Sequence, residues 1–184
     1  MNRINQSDPA QATGKAKTLF DGVQAKLGAV PNLLRTLGNS PAALEGYLNF
    51  SGALSGGSFS PREREQIALT VAEINLCGYC LSAHSYIGGK LGLSEQDIAD
   101  ARHATAATDK TDAVLKFARS VVVNRGEVQN ADLETARASG LTDADIVETV
   151  ANVSLNIFTN YLNHVAHTVV DFPEVKPGEV EVAA

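Results

Sequence analysis

The stretch SPREREQIALTVAEINLCGYCLSAHS, residues 60–85, holds a strong helix start and then the only two cysteines of the chain. Ser60 suits a helix N-cap, Pro61 suits the first helical position, and the glutamate three residues after Ser60 can complete a capping box. The stretch therefore predicts one helix that runs to about Leu76. A second helix should begin near the cysteines and stop at Gly92.

The rest of the chain also favours helices. Alanine is abundant, aromatic residues are few, and no segment alternates apolar and polar residues with a period of two. We expect an all-α fold, a single-domain multi-helix bundle over residues 1–170. Residues 171–184 should form a C-terminal tail or arm, either disordered or laid on a neighbouring subunit. The other predicted helices lie at about 9–27, 42–54, after a cap at Ser94, and at 111–124, 131–138 and 142–169.

Composition narrows the class of protein. The 184 residues suit one domain, and 44% of them are hydrophobic. The net charge of −6 offers no basic surface for nucleic acid or for an anionic membrane. The first residues have no apolar signal region, so a cytoplasmic location is predicted. In that compartment a close cysteine pair is more often catalytic or metal-binding than a structural disulfide.

Cys77 and Cys80 form a C-x-x-C pair, and His84 follows one helical turn after the second cysteine. On a helix these three side chains share one face. One thiol can attack a substrate and the other can resolve the product as a disulfide. The histidine can accept a proton from a thiol or hold the thiolate as an ion pair. Helix amides near the cysteines would favour the thiolate.

Glu65 is the predicted partner of His84. On a helical wheel it lies beside an apolar face of the preceding helix, and a carboxylate in such a place needs a partner. It can relay a proton to His84, directly or through water. Glu73 falls on the opposite, polar side of the same wheel. The alternative for Glu65 is a solvated residue in a salt bridge.

Two other interpretations of the cysteine pair stay open. Buried cysteines often serve only as small hydrophobic residues. A metal site is the second interpretation, although the usual paired-knuckle spacing is missing. We predict neither a metal nor another cofactor, and we expect the remaining histidines to be solvated or structural. The metal alternative would use Cys77, Cys80 and His84, with a fourth ligand from His103, His164, His167 or Glu65.

The quoted stretch resembles the core of the carboxymuconolactone decarboxylase superfamily, and within it the alkyl hydroperoxidase D-like, peroxidase-related branch. That branch has a glutamate, a C-x-x-C twelve residues on, and a histidine after three more residues. Glu65, Cys77, Cys80 and His84 stand in this register. The segments at 28–54 and 141–164 resemble the flanking parts of the family, so the resemblance covers about residues 20–167. Gly78 and Tyr79 occupy positions where some members carry a second histidine.

The resemblance implies an all-helical fold of the alkyl hydroperoxidase D-like type, with the site between helices. It implies thiol-dependent reduction of hydroperoxides with a Glu–His proton relay, an unidentified thiol or dithiol reductant, and a homo-oligomer (dimer, trimer or hexamer). We expect Cys80 to attack, because His84 is one turn away, and Cys77 to resolve. Two alternatives are a decarboxylase-like enzyme on a small acidic lactone and a non-enzymatic redox sensor or metal-binding oligomer.

Overall fold

The structure is a computed structural model, and it describes residues 2–178. Within that range the chain forms nine α-helices and no strand, so the predicted all-α class is confirmed. The helices are α1 (Gly14–Leu27), α2 (Asn32–Leu37), α3 (Pro41–Leu54), α4 (Pro61–Ile74), α5 (Gly78–Lys90), α6 (Glu95–Arg102), α7 (Asp109–Val123), α8 (Asn130–Ala138) and α9 (Asp143–Ala166).

The helix starts at Ser60 and Ser94 are confirmed. Both side chains accept a backbone N–H, and both helices begin with a capping box. Two other predicted limits are wrong. The first helix begins at Gly14 instead of residue 9, because Asp8 forms a turn in which its carboxylate accepts the Ala10 N–H. The last helix ends at Ala166 instead of residue 169, because the next residue adopts a left-handed backbone conformation.

Helix α4 is the centre of the fold and packs against α5, α6, α7 and α9. Its inward residues Ile67, Leu69 and Val71 are fully buried, as are Leu81 of α5 and Leu115 of α7. A smaller hydrophobic cluster joins α1, α2 and α3. The arrangement places the C-terminal half of α4 and the start of α5, where the cysteines lie, inside the larger core.

Helix α9 turns a polar face inward and an apolar face outward. Among the apolar residues that recur three and four positions apart along α9, Val153 is buried, but Val150, Tyr161 and Val165 are exposed. Several inward side chains donate to backbone carbonyls one turn back along the helix: Asn156 Nδ2, for example, donates to the Asn152 carbonyl. The spacing of apolar residues therefore predicts the helix but not which side faces the core. The buried polar residues of α9 are Asp145, Thr149, Asn152, Asn156, Thr159, Asn160 and Asn163.

Residues 171–178 form a segment that lies along α4 and α5 of the same chain; we call it the C-terminal strap. The ring of Phe172 meets the ring of Tyr79 edge-on, with centroids 5.8 Å apart. The Val175 N–H donates to Ser82 Oγ at 2.9 Å. Residues 179–184 of the predicted tail lie outside the described residues, and the domain limit at residue 171 stays a prediction.

The position of Glu73 differs from the one that the helical wheel predicts. It was expected on a polar, solvated side of α4, yet it is fully buried. Its carboxylate accepts from Arg102 Nε and from the Gly178 N–H, each at 2.7 Å. The strap and α6 thus cover a face of α4 that the wheel leaves to solvent. None of the helices described between residues 2 and 178 has the length and hydropathy needed to cross a membrane.

Candidate active site

The turn between α4 and α5 brings the predicted site residues together. Leu76 adopts a left-handed backbone conformation with φ of 54°, and the Cys77 N–H donates to the Ala72 carbonyl. Cys77 is the N-cap of α5, so the chain turns back tightly after α4. Glu65 on α4 and His84 on α5 therefore lie side by side although nineteen positions separate them.

The two sulfur atoms lie in the core. Cys77 and Cys80 are each 2% exposed, and both are free thiols. Cys77 Sγ accepts the Cys80 N–H at 3.3 Å, as expected for an N-cap side chain. Cys80 Sγ accepts a hydrogen bond from Asn163 Nδ2 of α9 at 3.2 Å. The cysteine pair is thus held between two helices and screened from water.

The two thiols differ in acidity. A hydrogen bond from the Cys77 thiol lowers the pKa of Cys80 to about 7; burial opposes this shift, while the charge of His84 and the Asn163 amide support it. The same pairing with Cys80, together with burial, raises the pKa of Cys77 well above its usual range. At neutral pH the thiolate therefore resides on Cys80, and Cys77 stays protonated as the donor.

Glu65 and His84 form an ion pair. His84 Nδ1 lies 2.7 Å from Glu65 Oε2, and both side chains are half-buried. Burial lowers the pKa of His84, but the charge and hydrogen bond of Glu65 outweigh it, so the pKa lies above the usual value. Because Nδ1 is held by Glu65, Nε2 is the nitrogen left to exchange a proton with a reactant. A protonated His84 near the Cys80 thiolate can supply that proton.

Tyr47 of α3, a residue that the sequence analysis did not single out, belongs to the surroundings of this site. Burial, then the charges of Glu65 and Cys80, raise the pKa of Tyr47 to about 12. Its hydroxyl group therefore stays protonated near neutral pH. Tyr47 also lines a mostly apolar groove of about 400 Å³ between α3 and α9, with Ala43, Gly46, Phe50, Ser154, Leu155 and Phe158.

The remaining histidines lie elsewhere. His103 is exposed, and its Nδ1 contacts the carbonyl of Ala99. His164 Nε2 donates to the Asn75 carbonyl at 2.7 Å, and His167 ends α9. Over residues 2–178, no three His, Cys, Asp or Glu side chains are grouped as a metal site would require.

Sequence reasoning missed Asn160 and Asn163, although asparagines three and four apart along α9 are visible in the sequence.

Comparisons with known proteins agree with this fold. Residues 41–124 match the carboxymuconolactone decarboxylase family. A peroxidase-related protein with an alkylhydroperoxidase AhpD core from Ralstonia eutropha JMP134 is 25% identical, with 92% of each chain covered and a TM-score of 0.82. A peroxidase-related protein from Silicibacter sp. TM1040 is 26% identical over 91% of this chain and 89% of that one, with a TM-score of 0.78.

A third solved structure shares the fold. The debrominase Bmp8 is 17% identical, with 92% of each chain covered and a TM-score of 0.77. No curated protein matches the sequence. The proteins from Ralstonia eutropha and Silicibacter are both described as uncharacterized and peroxidase-related.

Proposed function

Since this chain belongs to the carboxymuconolactone decarboxylase superfamily, in its alkyl hydroperoxidase D-like branch, we propose that it is a thiol-dependent peroxidase. It reduces hydroperoxides through the Cys77–Cys80 pair, with Glu65 and His84 as the proton relay. A thiol or dithiol reductant restores the pair. The proposal includes a cytoplasmic location, where cellular thiols keep such a pair reduced.

One observation carries the proposal: the more acidic thiol lies next to an ion-paired histidine. Cys80 has a pKa lowered to about 7, and the charge of His84 contributes to that shift. Glu65 raises the pKa of His84 through the 2.7 Å contact at Nδ1 and so favours the protonated imidazole, against the opposing effect of burial. A nucleophile and a proton donor are thus ready at neutral pH, which reduction of an O–O bond requires.

The reaction balances with these groups. The Cys80 thiolate attacks the terminal oxygen of the hydroperoxide, so an S–O bond forms and the O–O bond breaks. The departing alkoxide takes a proton from His84 and leaves as an alcohol. Sulfur is oxidised to a sulfenic acid, which the Cys77 thiol attacks to form the disulfide and release water. Two electrons from the external thiol reductant then regenerate both thiols.

A thiol count tests the proposal. The reduced protein should lose both thiols after one equivalent of cumene hydroperoxide, measured with a thiol reagent under denaturing conditions. The Cys77→Ser variant should consume one equivalent and stop at an oxidised Cys80. Thiols that survive peroxide would contradict the proposal and favour a decarboxylase-like reaction at Glu65 and His84. Thiols blocked until a chelator is added would favour a metal site.

We also propose that the chain is a homo-oligomer whose subunits meet through the outward face of α9. Val147, Tyr161 and Val165 on that face are 66%, 58% and 60% exposed. With Phe158 beside them, they form an apolar row along one helix, which is unusual for a surface in contact with water. A second copy would bury this row.

A charge placed in the proposed subunit contact should lower the mass of the protein in solution. Val165→Glu should place a charge in the contact and shift the sedimenting species toward a single chain. Val123→Glu is the matched control, because Val123 is a valine that is 54% exposed on a different helix, α7. Analytical ultracentrifugation at several concentrations measures both. Equal masses for the wild type and Val165→Glu would rule out this face as the contact.

A further inference from the structure

The buried polar face of α9 ends at the reactive sulfur. Asn163 Nδ2 donates to Cys80 Sγ at 3.2 Å, and Asn160 lies one turn earlier on the same helix. We propose that Asn160 and Asn163 form an amide site that holds the negative charge on Cys80 and then the oxygen that the sulfur receives. The second half of this inference rests on the proposed peroxidase function, whereas the first half does not.

Asn75 fixes the orientation of Asn160. Asn160 Oδ1 accepts from Asn75 Nδ2 at 2.9 Å, so the Asn160 Nδ2 group must point away from Asn75. The Asn75 carbonyl is itself held by His164 Nε2, which ties the end of α4 to α9. The Asn160 side chain joins Asn163 in lowering the pKa of Cys80. Asn163 Nδ2 therefore donates to the sulfur, while Asn160 Nδ2 is turned away from Asn75 and forms no hydrogen bond.

Two polar atoms of this pair have no protein partner. Asn160 Nδ2 and Asn163 Oδ1 are buried without a hydrogen bond, while both residues are at most 5% exposed. Buried polar groups are almost always paired, because leaving them unpaired costs stability. Asn152 and Asn156 on the same face follow that rule, since each amide donates to a carbonyl one turn back. Along α9, whose residues the structure describes in full, the unpaired buried side-chain atoms thus lie at the end of the face that meets the thiols.

The unpaired atoms match the intermediate of the reaction. A sulfenic acid carries one oxygen that accepts a hydrogen bond and one hydrogen that donates one. Asn160 Nδ2 can donate to that oxygen, and Asn163 Oδ1 can accept that hydrogen. Before reaction, the Asn163 Nδ2 bond favours the thiolate over the thiol. The same two side chains therefore serve Cys80 in both states, and they hold the oxygen until the Cys77 thiol displaces it as water.

The first test is a thiolate titration, which needs no peroxide. The ultraviolet absorbance of the reduced protein is followed against pH; Cys77 titrates far higher, so the transition near neutral pH belongs to Cys80. Asn163→Leu keeps the side-chain volume and removes the donor. It should raise the midpoint pH by about one, which is the effect of one hydrogen bond to a charged group. Asn160→Leu should shift it in the same direction.

Asn156→Leu is the matched control. Asn156 is a buried asparagine on the same face, but its amide donates within α9, so the midpoint should not move. Should Asn163→Leu fail to fold by circular dichroism, Asn163→Asp keeps the shape and places a carboxylate beside the sulfur; it too should raise the midpoint. An unchanged midpoint in the folded Asn163 variants would overturn the inference, and so would an equal shift in Asn156→Leu.

The second test concerns the oxygen. In a Cys77→Ser background, the Cys80 sulfenic acid is trapped with a cyclic diketone at increasing times after peroxide. Asn160→Leu in that background should shorten the trapping window and increase sulfinic acid, detected by mass spectrometry. An unchanged window would overturn the oxygen-holding role. If the wild-type protein does not react with peroxide but its thiolate titration still depends on Asn163, the peroxidase proposal would be wrong. The inference that the two asparagines stabilise the Cys80 thiolate would still hold.

Discussion

Replacing Cys80 with serine should abolish hydroperoxide consumption, with a loss of at least about 10³-fold, because a serine hydroxyl is not ionised at neutral pH and cannot reduce an O–O bond. The surroundings of Cys80 favour its thiolate form: the pKa of Cys80 is lowered to about 7, and Asn163 Nδ2 donates a hydrogen bond to Cys80 Sγ. A coupled assay that follows peroxide loss in the presence of excess dithiol measures the effect.

The reciprocal variant tells the two sulfurs apart. Cys77→Ser should still reduce one equivalent of peroxide in a single turnover, because the thiolate on Cys80 survives. Its single-turnover rate at neutral pH should stay close to that of the wild type, since the serine hydroxyl can replace the Cys77 thiol as the donor that lowers the pKa of Cys80. If instead Cys80→Ser retained the burst and Cys77→Ser lost it, the roles of attack and resolution would be reversed.

Glu65→Gln should reduce the peroxidase rate at pH 7 by about 10²-fold or more, the usual effect of disabling an acid–base pair. The carboxylate raises the pKa of His84 against the opposing effect of burial. Without it, burial prevails and His84 becomes neutral. Cys80 then loses a neighbouring cation, so its own pKa rises. The limb of the pH–rate profile near 7 should therefore move to higher pH.

The measurement is the single-turnover rate against pH for Glu65→Gln, the wild type and Glu134→Gln. Glu134 is exposed on α8, so its replacement controls for the loss of one negative charge. Circular dichroism checks that the fold is retained. A Glu65→Gln profile that falls without moving along the pH axis would mean that Glu65 does not act through the protonation of His84 and Cys80.

The sequence predicts the features of this protein that depend on local signals. The helix starts at Ser60 and Ser94 follow from cap chemistry, which involves residues within one turn. The alignment of Cys77, Cys80 and His84 on α5 follows from helical periodicity. The helical wheel places Glu65 beside an apolar face, which suggests that it pairs with His84. In the structure His84 Nδ1 lies 2.7 Å from Glu65 Oε2.

Features that depend on distant parts of the chain could not be predicted in this way. Glu73 looks solvated on a wheel because its partners, Arg102 and the Gly178 N–H, come from α6 and the C-terminal strap. Asn163 meets Cys80 across 83 positions. Periodicity alone also leaves the rotation of α9 undecided, because a helix with apolar residues on one side and asparagines on the other can bury either side.

The position of the strap sets an order of events during synthesis. A Cβ atom added to Gly78, between the cysteines, would lie 3.6 Å from Pro177, so the strap passes directly over the start of α5. Residues 171–178 leave the ribosome long after Cys77 and Cys80, and so does Asn163. A nascent chain therefore carries its thiols uncovered and without their amide donor. The strap contact at Gly78 and the hydrogen bond from Asn163 to Cys80 can therefore form only late, after α9 and residues 171–178 have been synthesised.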